Sequence, residues 1–199
     1  METNRLEAFS DGVFAIIITI TVLEMKVPHG SDWTSLKPVL PLFLTYVLSF
    51  LYLGIYWNNH HHLLKACDRI NGAIMWANLH LLFWLSLFPF VTGWMGENRF
   101  TGLPSALYGG VLLLAAIAYY ILQTLIVTEH GGCKSELGAA IGKDRKGKLS
   151  PVFYVAGIAF SFFRPWIAGC IYIFVALMWL IPDRRIERLV AARSPGVVR

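Results

Sequence analysis

Long apolar runs, each bounded by charged residues, proline or glycine, limit the folds that this chain can adopt. An α-helix needs about 20 apolar residues to cross a hydrocarbon core of roughly 30 Å. Of the 199 residues, 56% are hydrophobic and only 15% are charged, whereas about a quarter of the residues in a typical soluble domain are charged. The sequence therefore predicts an all-α, polytopic membrane protein that partners with the lipid bilayer.

Six runs are predicted to cross the membrane, and we number them as spans one to six. The third is expected to bend or break near Pro89. The last two are separated at Arg164–Pro165, because one helix of about 31 residues would measure about 46 Å and place an arginine and a proline in mid-membrane. The chain is thus predicted to form one six-helix domain, 1–199, with spans at 6–25, 39–64, 70–95, 104–128, 150–163 and 165–181 and a basic cytoplasmic tail at 182–199.

The distribution of basic residues predicts the orientation of the chain. With six spans, one side of the membrane holds thirteen of the 17 lysines and arginines, and the other holds Lys26, Lys37, Arg99 and Arg164. Because basic residues concentrate in the cytoplasm, we expect both termini there. The net charge of +5 is then a consequence of topology, and no nucleic-acid partner is expected. The predicted location is a multi-pass position in a bacterial inner membrane.

A cluster of histidines near the end of span two is the densest metal-like feature. It reads Asn58-Asn59-His60-His61-His62. Consecutive helical residues point about 100° apart, so three adjacent imidazoles cannot converge on one ion. The open alternatives are an interfacial role for His62, a buried polar network for His60 or His61, and metal ligation. No catalytic motif accompanies them, so we expect no enzyme activity, no metal and no cofactor.

The first span carries a narrow apolar stripe. At 100° per residue, Ile16, Ile20 and Leu23 lie within about 40° of one line, with Thr19 on its flank. Asp11 points well away from the stripe. Such a stripe either packs against a partner helix or, around a symmetry axis, forms an apolar constriction that closes by dewetting. Periodicity alone does not choose between the two.

Three motifs resemble those of one known family. Arg5-x-x-x-Phe9-Ser10-Asp11, with the apolar run that follows it, closely resembles the R-x3-F-S-D first-helix signature of the transmembrane protein 175 family of potassium-permeable channels. Span two has Tyr56-Trp57-Asn58-Asn59-His60-His61 and span three has Trp76-x-Asn78-x-His80, which resemble the companion motifs. The six-span length resembles the bacterial single-repeat members, whereas animal members carry two repeats.

The resemblance implies a homotetramer in which the first helices line a central pore. It implies a constriction at Ile16, Ile20 and Leu23, and a selectivity role for Thr19. The signature residues are expected to tie the first helix to the second and third helices of the same chain. These residues are Arg5, Phe9, Ser10 and Asp11, supported by a polar network of Trp57, Asn58, His60, His61, Asn78 and His80.

The function implied is a channel for K⁺ and other monovalent cations, with a hydrophobic gate. No T-V-G-Y-G-like segment supplies a carbonyl cage, so we expect a leak-like pore with moderate preference for K⁺ over Na⁺. A proton-coupled secondary transporter, using Asp11 and the histidines of spans two and three, is the main alternative. Such transporters often show internal repeats, and none is convincing here. A membrane enzyme built on the histidine cluster is a third alternative.

Overall fold

The computed structural model describes residues 3–67, 69–132, 138 and 145–180. Within these ranges the chain is helical and contains no strand, which confirms the predicted all-α polytopic fold. The tail at 182–199 lies outside the described residues. The helices are α1 (Thr3–Leu23), α2 (Leu40–Lys65), α3 (Gly72–Ser86), α4 (Phe88–Glu97), α5 (Gly102–Glu129), α6 (Arg145–Phe163) and α7 (Pro165–Leu180), with a 3₁₀ turn at Trp33–Leu36 between α1 and α2.

The helix ends lie close to the predicted span ends. The largest difference is at α6, which begins at residue 145 rather than 150. Among the residues that the structure describes, four helical segments are long and apolar enough to cross a membrane. They are Thr3–Leu23, Leu40–Lys65, Gly72–Glu97 and Gly102–Glu129, and Pro165–Leu180 is a shorter apolar helix. The first turns of α6 carry lysines, which lower the mean hydropathy of this helix. Six membrane crossings therefore stay a prediction.

The third span is broken where proline predicts a break. α3 ends at Ser86 and α4 begins at Phe88, with Pro89 in the first turn of α4. Proline has no N–H to donate, and its ring clashes with the carbonyl four residues earlier, so a helix cannot continue through it undisturbed. The two helices on either side of the break pack against different neighbours. α4 packs against α1, α2 and α5, whereas α3 packs mainly against α5 and also against α1.

The second half of the bundle closes around the tyrosine ring of Tyr172 on α7. A methyl group added at Gly109 on α5 would lie 2.1 Å from the Tyr172 hydroxyl oxygen, and one added at Gly157 on α6 would lie 2.4 Å from a ring carbon. Only glycine leaves room for the ring at these two places. α6 and α7 form a tight hairpin, because α6 ends at Phe163 and α7 starts at Pro165.

Several buried hydroxyl groups in the bundle form hydrogen bonds between helices. The Ser49 hydroxyl on α2 lies 2.6 Å from that of Thr92 on α4 and 3.0 Å from that of Tyr108 on α5. The Tyr52 hydroxyl donates to the Tyr172 carbonyl at 2.6 Å. Buried polar groups without partners are costly, and these bonds satisfy them while joining four helices. The hydrophobic core draws on all seven helices, and α1 contributes Leu6, Phe14 and Ile17 to it.

Candidate functional site on the first helix

α1 has one face buried in the protomer and another that is open. The buried residues are Leu6, Ser10, Phe14, Ile17 and Thr21, which follow the spacing of one helical face. The open face is also apolar: the side chains of Ile16, Ile20 and Leu23 are 57%, 43% and 78% exposed. The three residues expected to form a constriction therefore share a face that no other part of the described chain covers.

Thr19 is exposed beside this stripe. Its hydroxyl lies 3.0 Å from the Ala15 carbonyl and 2.9 Å from the Ile16 carbonyl, to which it donates. A hydroxyl has one hydrogen to donate and two lone pairs to accept with. Because the hydrogen is used within the helix, the oxygen presents its lone pairs outward, where water or a cation can meet them.

A groove runs between α1 and α4 beside the stripe. It has a volume of about 520 Å³, with Ile16 and Ile20 on the α1 wall and Phe90 and Trp94 on the α4 wall. Its walls are mostly apolar, and the lining also includes Glu24, which directly follows α1, and Glu97 of α4. Ile16 and Ile20, two residues of the expected constriction, thus border an open groove on the surface of the protomer.

Glutamates lie at one end of that groove. The Glu24 carboxylate packs on Gly93 of α4, where an added methyl would lie 3.3 Å from its oxygen. Glu97 forms an exposed ion pair with Lys26 at 3.2 Å. Sequence reasoning does not single out Gly93 or Glu97, since neither belongs to a motif. The available signal is only that Glu24 and Glu97 each come directly after an apolar run.

Two contacts one helical turn apart join α1 to α2. The Trp57 indole N–H donates to a carboxylate oxygen of Asp11 at 2.9 Å. One turn away, His61 Nδ1 lies 2.7 Å from Glu7 Oε1, an ion-pair contact when the imidazole is protonated, though not an aligned hydrogen bond. The Trp57 and His61 rings stack at 5.9 Å. The partner of Asp11, which the sequence left open, is thus the indole of Trp57.

A third contact is fully buried and joins α1 to both α3 and α2. The Asn78 amide nitrogen on α3 donates to the Ser10 hydroxyl at 3.0 Å, and that hydroxyl donates to the Leu6 carbonyl at 2.8 Å. The Asn78 carbonyl oxygen lies 2.6 Å from His60 Nε2. Since the amide oxygen can only accept, His60 carries its proton on Nε2. The adjacent histidines His60 and His61 therefore take different partners, as their angular separation requires.

Four of the predicted cluster residues lie outside these contacts. Phe9 is 51% exposed and Arg5 is exposed as well. Both lie on the open face of α1 with Ile16. Phe9 and Arg5 precede Ile16 by seven and eleven residues, which correspond to about two and three helical turns. Arg5 and Phe9 were expected to tie α1 to α2 and α3 of the same chain, but the structure leaves both side chains exposed. His80 accepts from the Trp84 indole on its own helix at 2.9 Å, and Asn58 is half-buried without joining the described contacts.

The described residues contain no group of three or more His, Cys, Asp and Glu side chains that could hold a metal ion. The histidines nearest to one another are used in separate contacts, His60 with Asn78 and His61 with Glu7. The polar contacts between α1 and its neighbours have a structural effect. They fix the rotation and depth of α1 against α2 and α3, and they leave an apolar face of α1 turned away from the protomer.

Comparisons with known proteins identify the relatives of this chain. The family model described as "Endosomal/lysosomal potassium channel TMEM175" matches residues 5–89. A potassium channel of Chryseobacterium sp. (strain P1-3) is 58% identical over 188 residues, covering 94% of this chain and 97% of that protein. The human endosomal/lysosomal proton channel TMEM175 is 37% identical over 86 residues, covering 37% of this chain and 17% of that protein.

A solved structure extends the likeness to the whole fold. The crystal structure of a lysosomal potassium-selective channel TMEM175 homolog from Chamaesiphon minutus superposes with a TM-score of 0.75 at 28% sequence identity, covering 91% of this chain and 97% of that one. The bacterial relative at 58% identity is covered almost from end to end, and the family model spans the helices that hold the polar contacts of α1. This chain belongs to the TMEM175 family.

Proposed function

We propose that this protein is a potassium-permeable cation channel in which four copies surround a pore lined by α1. The observation that carries the proposal is the open apolar face of α1. Only 28% of the apolar stretch of α1 is buried within the protein, compared with 39%, 50% and 39% for the other three long apolar segments. Relatives named potassium channels, from Chryseobacterium and from Streptomyces collinus, are 58% and 38% identical to this chain and support the choice of ion.

The proposed gate consists of rings of Ile16, Ile20 and Leu23. Water leaves a narrow apolar constriction readily, and a cation cannot cross a dry one because it would lose its hydration shell. The Thr19 oxygen is the polar group beside these rings and is proposed to contact the passing ion. Because one hydroxyl per chain replaces little of a hydration shell, the preference for K⁺ over Na⁺ is moderate and the conduction is leak-like.

The proposed topology has six crossings with both termini in the cytoplasm of a bacterial cell. The asymmetry of thirteen basic residues against four supports it. α1 then begins at the cytoplasmic face, and the contacts of Glu7 and Asp11 with α2 lie in its cytoplasmic half. The apolar stripe occupies the half of α1 that is farther from the cytoplasm.

Proton movement is the second candidate function, because vertebrate relatives that match 37% of this chain are named proton channels. A proton-coupled carrier would use Asp11 and the histidines as exchangeable binding groups. Here Asp11 accepts from Trp57, and His60 is bonded to Asn78 in a buried contact. These groups are engaged in holding helices together, which favours the channel.

Flux through the purified protein in lipid vesicles tests the proposal. We expect K⁺ flux that exceeds Na⁺ flux moderately, needs no second ion and does not saturate at moderate concentrations. The mass of the purified protein should correspond to four chains. Flux that saturates and follows an imposed proton gradient would favour the carrier, and the absence of K⁺ flux under every ionic condition would reject the channel.

A further inference from the structure

The groove between α1 and α4 has a long apolar part and one charged end. Its volume of about 520 Å³ lies within the range of small-molecule sites. On the α1 side the lining runs from Val13 to Glu24, which corresponds to about 16 Å along the direction of the helix. The charged residues of the lining, Glu24 and Glu97, both lie at the end where α1 stops. The groove therefore has the polarity of an extended molecule with one polar head and one apolar tail.

One negative charge at that end has no partner in the described part of the chain. Glu97 forms its ion pair with Lys26 at 3.2 Å. The Glu24 side chain lies over Gly93 of α4, and its carboxylate makes neither an ion pair nor a hydrogen bond with another described residue. Because Lys26 matches only one of the two carboxylates, one negative charge is left over. The charged end of the groove therefore favours a cation.

Aromatic side chains of α4 form one wall of the groove. The rings of Phe90 and Trp94 lie nearly parallel, at 22°, with centroids 6.0 Å apart. Phe90 is 60% exposed and Trp94 is half-buried. Trp94 directly follows Gly93, so the indole and the Glu24 carboxylate line the same end of the groove. The face of an indole attracts a cation, and an adjacent carboxylate adds to that attraction.

We infer that this groove binds a hydrophobic cation, a molecule with one positively charged amine head and one thin apolar tail. The head lies between Glu24 and Trp94, and the tail extends along Ile20 and Ile16. α1 ends at Leu23, where its apolar run ends, so the head is at the level of the membrane boundary and the tail is within the apolar layer. An amphiphile takes the same arrangement in a lipid bilayer.

The charge also distinguishes this occupant from a second copy of the chain. An α1 helix of another copy, seated in the groove at the same depth, would bring its own Glu24 to the charged end. Two carboxylates would then face each other, and like charges repel. A cationic head instead pairs with the carboxylate that is left over. The site is built from groove residues of one protomer and does not depend on ion conduction.

The test uses dodecyltrimethylammonium with a terminal trifluoromethyl group and the full-length protein in phosphatidylcholine nanodiscs, with binding followed by ¹⁹F NMR. We expect saturable binding above the background of empty nanodiscs, whereas the neutral alcohol with the same tail should bind more weakly. Glu24→Gln removes the charge at nearly constant shape and should weaken binding of the cation about three- to fivefold. Asp32→Asn changes an exposed carboxylate outside the groove and should leave binding unchanged.

Two further variants test the walls of the groove. Trp94→Leu removes the aromatic face and should weaken binding about two- to fivefold. Trp76→Leu, at a tryptophan that is 74% exposed on α3, is the matched control and should leave binding unchanged. Gly93→Val should abolish saturable binding, because a methyl group at this position already lies 3.3 Å from the Glu24 carboxylate and the larger side chain enters the groove.

Three results overturn the proposal. A signal that rises linearly with the cation and is equal in all variants would mean partition into lipid only. Saturable binding that is insensitive to Glu24→Gln would place the cation elsewhere. Equal affinity for the neutral alcohol would show that charge is not recognised. Glu24 is exposed, so Glu24→Gln keeps the test decisive even if Gly93→Val does not fold. None of these results bears on ion flux, so the groove and the channel are tested separately.

Discussion

The Trp57 indole nitrogen and the Asp11 carboxylate are joined by a hydrogen bond of 2.9 Å between α2 and α1. From the sequence, Asp11 points away from the apolar stripe, and the family resemblance implies that it ties the first helix to its neighbours. In the fold it makes such a contact with α2. The bond turns the polar side of α1 toward α2, and the apolar face containing Ile16 is left outside the protomer.

Replacing Ile16 tests the proposed gate. Ile16→Asn puts an amide into the apolar ring, which keeps the constriction wet and lowers the barrier to a hydrated cation. We expect K⁺ flux in vesicles to rise about tenfold or more, equivalent to at least about 1.4 kcal/mol of barrier. Val22→Asn, on an exposed part of α1 off the stripe, is the matched control and should leave flux unchanged. Equal effects of the two changes would argue against a gate at Ile16.

Removing the Asp11 carboxylate tests the contact between α1 and α2. Asp11→Ala should lower the free energy of unfolding by about 1.5–3 kcal/mol, because a hydrogen bond to a charged group is lost. Trp57→Phe should cost a similar amount. Thermal unfolding of the two single variants and the double variant measures their coupling. The double variant should lose less than the sum of the two, and strictly additive losses would show that the pair does not interact.

Asn78 is expected to be the most sensitive residue of the buried contact. Asn78→Leu leaves both the Ser10 hydroxyl and the His60 ring without this partner at fully buried positions. The buried His60 ring is left unsatisfied, which costs about 1–3 kcal/mol, whereas the Ser10 hydroxyl keeps its bond to the Leu6 carbonyl. We expect a large drop in unfolding temperature or a failure to fold, measured against Asn58→Leu, which changes a half-buried asparagine of α2. A mild effect of Asn78→Leu would contradict the importance of this contact.

The turn between α1 and α2 provides a test by pH. The hydroxyls of Ser35 and then Thr34 donate to the Asp32 carboxylate, and they hold the pKa of Asp32 below its usual value of 3.8. A depressed pKa means that the ionised form stabilises the turn above the pKa of the unfolded chain, and that this support is lost as pH falls through the lower, folded value. Carboxyl NMR should show this pKa, and Ser35→Ala should raise it toward 3.8. An unchanged pKa in Ser35→Ala would mean that Ser35 is not the main cause.

Two glycines give a matched pair for the packing of Tyr172. Gly157→Ala forces a methyl against the Tyr172 ring and should destabilise the fold by about 1–3 kcal/mol. Gly169→Ala, on α7, meets no atom within 4 Å and should stabilise by about 0.4–1 kcal/mol, because it restricts the unfolded chain. Thermal unfolding in one detergent compares the two variants. Destabilisation of equal size would argue against contact with Tyr172 as the cause, because helix propensity by itself favours alanine over glycine at both positions.

Much of the helical framework could be read from the chain. Apolar length predicted the helices, Pro89 predicted the break between α3 and α4, and Arg164–Pro165 predicted the division between α6 and α7. These features depend on local chemistry, because proline lacks a donor and a charged residue is costly in lipid. The start of α6 was predicted five residues late, since a polar, basic turn can continue a helix beyond its apolar part.

The shared face of Ile16, Ile20 and Leu23 could also be predicted from the chain, because it follows from the helical repeat alone. The contacts of Asp11 with Trp57 and of His60 with Asn78, and the outward position of Arg5 and Phe9, could be found only in the folded protein. Periodicity places residues around one helix axis. Which side chains meet depends on the rotation and depth of each helix against its neighbours, and those are set by the packing of the whole bundle.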